Sequence, residues 1–415
     1  MNKTIHFLEK IQVRDADRHY GYLFYKAIGE LMSDTAITIR YLNEEDMIKA
    51  GVLDAPACIE TIEEVLGLLS DGDVLMGGKN HREHGIQLIF PRKSPIKDFP
   101  LEDSPDRRFM SMPGYLGGRF HMAGEKYYGS NGRNVSKGLP RSILMCTLSD
   151  VETGAPVAYM SANLLSAMRT GAVPAVMAKY CAKEKINVIT LLGTGEINRA
   201  CLRCFAAMYP DIKTVKLKGS SPASKSAAAM KDFIEEKFPQ IENVIICETL
   251  EEACRDTDII SEAVSTINRQ WPVVDPAWLS PGTTIISSGT MDFTSHDFIA
   301  DHMKKVVDNK GMYDDYVKVY QEYDKDGQKL STGTPGIFFS EMIANGRIKD
   351  YDVTEIGDII RGRARGRTND DDIYLISAGG MPILDIGWGY ECYNRAKKNG
   401  IGTELTLWDS PFMGL

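Results

Sequence analysis

Residues 187–218 hold the feature that most restricts what this chain can fold into: an apolar strand, a glycine turn, a helix and a second strand in close succession. The strand Asn187-Val-Ile-Thr-Leu-Leu192 runs into Gly193-Thr-Gly195-Glu-Ile-Asn198, the helical stretch Arg199–Tyr209 follows, and Thr214-Val-Lys-Leu-Lys218 forms the second strand. Two parallel strands joined through a helix are the unit from which doubly wound sheets are built. Gly193 permits the tight turn, and Gly195 lets backbone approach a pyrophosphate. The amino end of the helix supplies free N–H groups and the positive end of its dipole. Thr194, Glu196 and Ile197 lie in the same turn and join the two glycines as candidate dinucleotide contacts. Asn198 stands where the third glycine of the fingerprint belongs. A strand-to-helix turn without a ligand also favours glycine, so the motif draws its weight from the strand and helix around it.

Beyond Lys218 the alternation continues through a helix at 224–238, a strand at 243–247, a helix at 250–255 and strands at 258–263 and 283–288. That order predicts an α/β fold with a doubly wound parallel sheet. At 415 residues a single core gives way to two domains. Upstream, a strand at 38–42 leads to Asn43 as a helix cap with Glu44, Glu45 and Asp46 in the first turn, and helices run on to Ser70. Residues 91–118, rich in Pro, Gly and charge, read as a long surface excursion. Strands resume at 120–122 and 141–149, and a helix at 162–180 should kink or break at Pro174. A charged, Tyr-rich segment at 311–336 interrupts the alternation before a strand at 372–377 and a last helix at 384–398. The first 36 residues, with a helical pattern at 20–32, read as an appended element.

A net charge of −9 argues against a protein that binds nucleic acid through a broad basic surface. No apolar run nears the roughly 20 residues of a membrane span, and the first residues lack a signal-type hydrophobic region. A cytoplasmic location is the simplest reading. The eight cysteines are scattered, which suits reduced, buried thiols. Cys201 and Cys204 have redox or zinc spacing, but they lie inside the helix after the glycine turn with no second ligand pair, and so read as packing residues.

The end of the second strand, Lys218-Gly-Ser-Ser221, lacks the carboxylate that would bind an adenosine ribose and repel a 2′-phosphate. Ser220, Ser221 and Lys225 are phosphate-compatible, which favours NADP over NAD. The small-residue turn Ala263-Val264-Ser265-Thr266 suits the nicotinamide half. A second, basic constellation precedes the sheet: Lys126 in Gly124-Glu-Lys126, Arg141, and Arg169 in Ser166-Ala-Met-Arg169-Thr-Gly171. Converging cations of this kind would hold a substrate carboxylate, arginine by a planar two-point contact and lysine as a point charge. Arg169 is the only charged residue between Glu152 and Lys179.

Tyr41-Leu-Asn-Glu-Glu-Asp46, Gly124-Glu-Lys126, Gly138-Leu-Pro140, Leu148-Ser-Asp-Val-Glu-Thr-Gly-Ala-Pro156, Leu165-Ser-Ala-Met-Arg-Thr-Gly-Ala172 and Gly193-Thr-Gly195 occur in the order that resembles the ornithine cyclodeaminase/mu-crystallin family. The resemblance implies a Rossmann domain at 171–385 binding NAD or NADP. It also implies an α+β substrate-binding and dimerisation domain at 37–170 with 386–415, the extension 1–36, and a homodimer. It implies action on a small amino or imino acid by hydride transfer at the α-carbon, with a cyclodeaminase or a non-catalytic binding subunit as alternatives. By resemblance, Lys126 and Arg169 bind the substrate carboxylate, Arg82 is the candidate for a further family arginine, and Arg141 replaces a threonine, suiting a second carboxylate. Thr170, Val264, Ser265 and Gly289 join the nucleotide contacts. The family's aspartate base falls at Met291, which leaves Asp292 as the acid–base candidate beside Lys126.

Overall fold

The computed structural model describes residues 35–102, 104, 106–264, 270–319 and 330–412. The chain forms two compact units, Arg40–Thr403 and a smaller one of Met1–Ile39 with Glu404–Leu415. The elements before the glycine turn are β1 (Ile37–Leu42), α1 (Glu44–Lys49), α2 (Ala55–Asp71), β2 (Val74–Met76), β3 (Ile86–Ile89), β4 (Arg108–Leu116), β5 (Met122–Ser130), β6 (Ser142–Asp150), β7 (Pro156–Ser161) and α3 (Asn163–Cys181). The turn lies between β8 (Val188–Leu192) and α4 (Glu196–Met208). It is followed by β9 (Thr214–Lys218), α5 (Lys225–Lys237), β10 (Asn243–Ile246), α6 (Leu250–Cys254), β11 (Ile259–Glu262), β12 (Val273–Val274), β13 (Thr284–Ser287) and β14 (Asp292–Phe293). The chain then forms α7 (His296–His302), β15 (Met303–Val307), α8 (Lys310–Val319), α9 (Pro335–Ala344), β16 (Val353–Glu355), α10 (Ile356–Ile360), β17 (Ile373–Ser377) and α11 (Pro382–Lys398). The last strand is β18 (Thr403–Trp408); within the smaller unit the Trp408 indole N–H donates to the Thr35 carbonyl at 3.0 Å.

Local signals set the boundaries. Asn43 and Asp46 cap α1 reciprocally, each side chain accepting from the other's backbone N–H. Asp54 caps α2, and Gly72 closes it in a left-handed conformation that glycine adopts without strain.

The later sheet runs β10-β9-β8-β11-β13-β17-β15-β16, and every pairing is parallel. β8 lies between β9 and β11, so the strand order reverses there, and the crevice beyond the carboxyl ends of the strands is where such sheets take their ligands. β11 and β13 are buried at every residue, as strands covered on both faces must be. The earlier sheet is mixed, in the order β1-β7-β6-β5-β4-β2 with β3 also on β4. Its residues alternate: on β5, Lys126, Tyr128 and Ser130 are buried while Tyr127 is exposed. α11 covers the inner face across β4, β5 and β6. No helix among the described residues is long and apolar enough to cross a membrane.

Three expectations need correction. The surface excursion ends before residue 108, because Arg108–Leu116 is a full strand paired with β5. Pro113 disguised it, yet Pro113 falls between the stretches that pair with β3 and with β2, where no ladder N–H is required. α3 passes through Pro174 without a break. The interruption at 311–336 contains α8 and the start of α9, and β15 and β16 extend the parallel sheet on either side of it in sequence. The helical pattern at 20–32 lies outside the described residues.

Candidate active site

The glycine turn has the features a dinucleotide needs. Gly193 adopts a φ of 91°, and a Cβ there would stand 2.8 Å from the Ala263 carbonyl oxygen. A Cβ on Gly195 would meet nothing within 4 Å, so open space lies over the amino end of α4. Gly195 caps that helix without a side-chain hydrogen bond, leaving the first-turn N–H groups for an anion. Asn198 has a structural reason to replace the third glycine. It is fully buried, donates to the carbonyls of Leu192 at 2.8 Å and Gly193 at 2.7 Å, and accepts from the Ser261 hydroxyl at 2.9 Å. Its amide thereby ties the turn to β8 and β11. Thr194 meets Ser226 at 2.8 Å, joining the turn to the start of α5, where Lys225 follows the loop that holds Ser220 and Ser221, all three exposed.

Glu262, which sequence reasoning missed, organises the floor of the crevice. Its fully buried carboxylate accepts from the backbone N–H groups of Val264 at 2.5 Å and of Gly289 and Thr290 at 3.2 Å, and from the Ser287 hydroxyl at 2.6 Å. The loops after β11 and β13 are thereby clasped together. Burial pushes its carboxyl up to about 7 against those hydrogen bonds. Ser265 lies outside the described residues.

The second centre is a buried charge cluster. Gly114 and Gly124 face each other on β4 and β5, and a Cβ on either would press on Ile386 of α11. This hollow lets α11 descend until Asp385, one residue earlier, meets Lys126 of β5. Lys126 Nζ donates to Asp385 Oδ2 at 2.9 Å, and Arg169 Nε of α3 donates to Asp385 Oδ1 at 3.1 Å. The side chains are 4%, 4% and 0% exposed for Lys126, Arg169 and Asp385. Ser166 receives Lys126 Nζ at 3.4 Å and Arg169 Nη2 at 3.3 Å. Arg169 Nη1 is buried and has no hydrogen-bond partner.

Charge arithmetic decides what this cluster accommodates. Burial raises the Asp385 carboxyl, but Arg169 and Lys126 outweigh it and hold the group below its ordinary value, so it is ionised. Burial, then Arg169, lower the Lys126 ammonium to about 8 against the pull of Asp385. Two cations facing one carboxylate leave one positive charge and one buried donor unanswered. Buried charge of that kind is costly unless paired, and a ligand carboxylate supplies both the charge and the acceptor.

The two centres are mechanically joined. A Cβ on Gly171 would stand 2.4 Å from the Ala200 carbonyl carbon, so this glycine allows α3, which carries Arg169 and Thr170, to press against the fingerprint helix α4.

The remaining sequence-derived residues lie apart from the cluster or touch it only through backbone. Arg82 is held by its main chain: its N–H donates to Asn80 at 2.9 Å and its carbonyl accepts from Asn309 at 3.0 Å. The side chain from this segment that faces the cluster is His84. Arg141 precedes β6 and pairs with Asp106 at 3.3 Å. Lys126 is opposite Cys146, five residues further along β6. Asp292 accepts from His296 Nε2 at 2.6 Å. Burial raises its carboxyl, but the His296 bond and others lower it overall, which makes it a poor base. Cys201 and Cys204 are free and buried, and burial pushes the Cys201 thiol up to about 12. Among the described residues no group of three potential ligands is placed to hold a metal ion. Asp385 itself carries a sequence signal: it is the only charge in an apolar run from Ile373 to Tyr390.

The fold and site define a class: a doubly wound α/β protein with a dinucleotide-type turn and a buried, net-positive charge cluster joined to it through packed helices. The chain belongs to the ornithine cyclodeaminase/mu-crystallin family, whose model matches residues 57–400. It is 28% identical over 369 residues to N-((2S)-2-amino-2-carboxyethyl)-L-glutamate dehydrogenase of Staphylococcus aureus, covering 89% of this chain and 98% of that one. It is 27% identical over 350 residues to alanine dehydrogenase of Archaeoglobus fulgidus, covering 84% and 97%. The fold resembles that of Thermococcus litoralis Δ1-pyrroline-2-carboxylate reductase, solved with NADH and L-proline, with a TM-score of 0.70 at 23% identity over 88% of this chain and 99% of that one.

Proposed function

We propose that this protein is an NAD(P)-dependent oxidoreductase of an amino or imino acid, acting at the α-carbon. The observation that carries this reading is the buried, unpartnered Nη1 of Arg169 in a cluster with one excess positive charge, on a helix pressed against the helix that follows the dinucleotide turn. The substrate carboxylate takes that donor and the charge of Lys126, which fixes the α-carbon in one orientation. The turn at Gly193–Ile197, the loop at Ser220–Lys225, and Val264 and Gly289 would hold the dinucleotide. When bound, it supplies hydride chemistry. Asp385 keeps both cations in place, and Glu262 holds the loops that line the crevice. On this reading residues 171–385, with the parallel sheet, serve the dinucleotide, and residues 37–170 with 386–415 serve substrate binding and dimerisation.

A cyclodeaminase reading needs an acid where Met291 stands fully buried. The absence of any carboxylate from Lys218 to Ser226, with Ser220 and Ser221 exposed, favours NADP(H) over NAD(H). On the outer face of the mixed sheet Phe109, Tyr127, Ile143 and Tyr159 are 39–50% exposed, an apolar patch that a second copy would cover. The eight buried free cysteines suit a reducing, cytoplasmic setting.

Titration calorimetry with NAD(H) and NADP(H), followed by nicotinamide absorbance with a panel of amino acids and of keto acids plus amines, tests the reading. Binding with turnover, tighter for NADP(H), and a mass of two chains by light scattering are expected. No turnover with any member of the panel overturns the oxidoreductase reading. Lys126 adds a pH signature. Its charge, which holds the carboxylate, is lost as pH rises through about 8, so kcat/KM should fall on the alkaline side with a midpoint near there. A flat profile to pH 10 would remove Lys126 from carboxylate binding.

A further inference from the structure

His84 is a partly exposed histidine at the wall of the charge cluster. A methyl group built on Gly380 would stand 3.0 Å from His84 Cε1 and 3.4 Å from Arg169 Nη1 and Nη2, so ring and guanidinium flank the same glycine. The ring's orientation is fixed. Its Nδ1 faces the Gly380 carbonyl, which only accepts, so Nδ1 carries the proton and Nε2 carries the lone pair. The Gly380 carbonyl is itself braced, because the preceding Gly379 N–H donates to buried Asp308 at 2.6 Å, and Asp308 also accepts from the Tyr313 hydroxyl at 3.0 Å. Asn309, next to Asp308, grips the Arg82 carbonyl and secures the segment that carries His84. A neutral, oriented imidazole thus stands beside the donor assigned to the substrate carboxylate, on a chain that lacks an acid at Met291.

We propose that His84, through Nε2, is the acid–base catalyst at the substrate nitrogen. The proposal rests on the oxidoreductase reading. In the oxidation direction the substrate ammonium gives one proton to Nε2, and the electron pair left on nitrogen becomes the second bond of C=N. The Cα–H bond breaks with both its electrons, which leave as hydride to the oxidised dinucleotide. An iminium, a reduced dinucleotide and a protonated imidazole result. Reduction runs the same steps backwards, with His84 returning the proton.

Electrostatics couple this step to binding. The groups that face the ring are Lys126 of β5, Arg169 of α3 and Asp385 of α11, with the Tyr316 ring of α8 edge-on at 6.2 Å between centroids. Loss of solvent around the ring, then Lys126, hold the imidazole below its ordinary value. A substrate carboxylate on Arg169 and Lys126 offsets those cations and raises the basicity of Nε2 as the ammonium arrives.

His84→Asn tests the proposal, because an asparagine amide can donate to the Gly380 carbonyl while placing no base at the Nε2 position. With the amino acid that wild type turns over, kcat should fall about 100-fold or more. KM and dinucleotide affinity should stay within a few-fold, and the acid limb of the kcat profile should disappear. His84→Ala, assayed with and without free imidazole, is the second variant, and recovery of kcat with imidazole is expected. A kcat within threefold of wild type, or a loss confined to KM, overturns the proposal and leaves the oxidoreductase reading intact. A wild type that turns over nothing overturns both.

Discussion

Arg169→Met should reduce kcat/KM by two to three orders of magnitude without weakening dinucleotide binding. The guanidinium is pre-oriented in the cluster, with Nε on Asp385 and Nη2 on Ser166, and only Nη1 waits for an acceptor. Little side-chain entropy remains to be lost when a carboxylate docks, so most of the charge-assisted interaction appears in binding. Truncating one partner of a buried hydrogen-bonded charge pair costs about 2–5 kcal/mol. Arg169→Lys keeps the charge but loses the planar fork, and it should recover only part of the activity. Dinucleotide affinity is the internal control, since Gly171 still seats α3 on α4. A kcat/KM within threefold of wild type for Arg169→Met would show that the substrate carboxylate docks elsewhere.

Asp385→Asn should destabilise the fold strongly for so conservative a substitution. The change is nearly isosteric, yet it strands Lys126 and Arg169 as two buried cations, and breaking a buried pair in this way costs about 3–5 kcal/mol. Lys126 has one means of relief, which is to give up its proton. Its folded-state value is already lowered to about 8 and would fall further without Asp385. Between the folded value and the unfolded one the unfolded chain binds more protons, so stability rises with pH across that window. The variant enters the window at lower pH than wild type does, and its deficit should therefore shrink as pH is raised towards 8. Adding Lys126→Met to Asp385→Asn removes one stranded cation and should recover part of the loss. Urea midpoints for the single and double variants at pH 6 and pH 8 check both statements. A deficit below about 1 kcal/mol at pH 6, typical of an exposed pair, would mean that the cluster is solvated.

The legible parts of this protein are those whose physics is local in sequence. Gly193 and Gly195 announce themselves because strand, turn and helix are contiguous, and the same holds for Asn43, where cap and acidic first turn are adjacent. Arg169 is legible because no other charge lies near it in an apolar helix. Long-range geometry hides the rest. Asp385 lies 259 residues from Lys126, and only the glycine hollow at Gly114 and Gly124 brings them together. His84 was obscured by Arg82, two residues earlier, which attracts attention as a cation but whose main chain is what the fold grips. Strand β4 was hidden by Pro113, tolerated because the neighbouring strand is split into β2 and β3 around it. Arg141 looked like a pocket residue because its distance in sequence from Lys126 and Arg169 suited the family pattern, whereas the β5–β6 register places it five residues along from Cys146, the partner of Lys126.

Hydride transfer to the α-carbon of a substrate held by Arg169 and Lys126 would leave an isotopic trace in the product. Reduced dinucleotide carrying deuterium at both C4 positions of the nicotinamide would be supplied with the imino acid, or keto acid plus amine, that supports turnover, and the product examined by NMR. One deuterium is expected at the α-carbon, with the transfer rate falling with kcat/KM in Arg169→Met. A product without deuterium at that carbon would contradict that transfer.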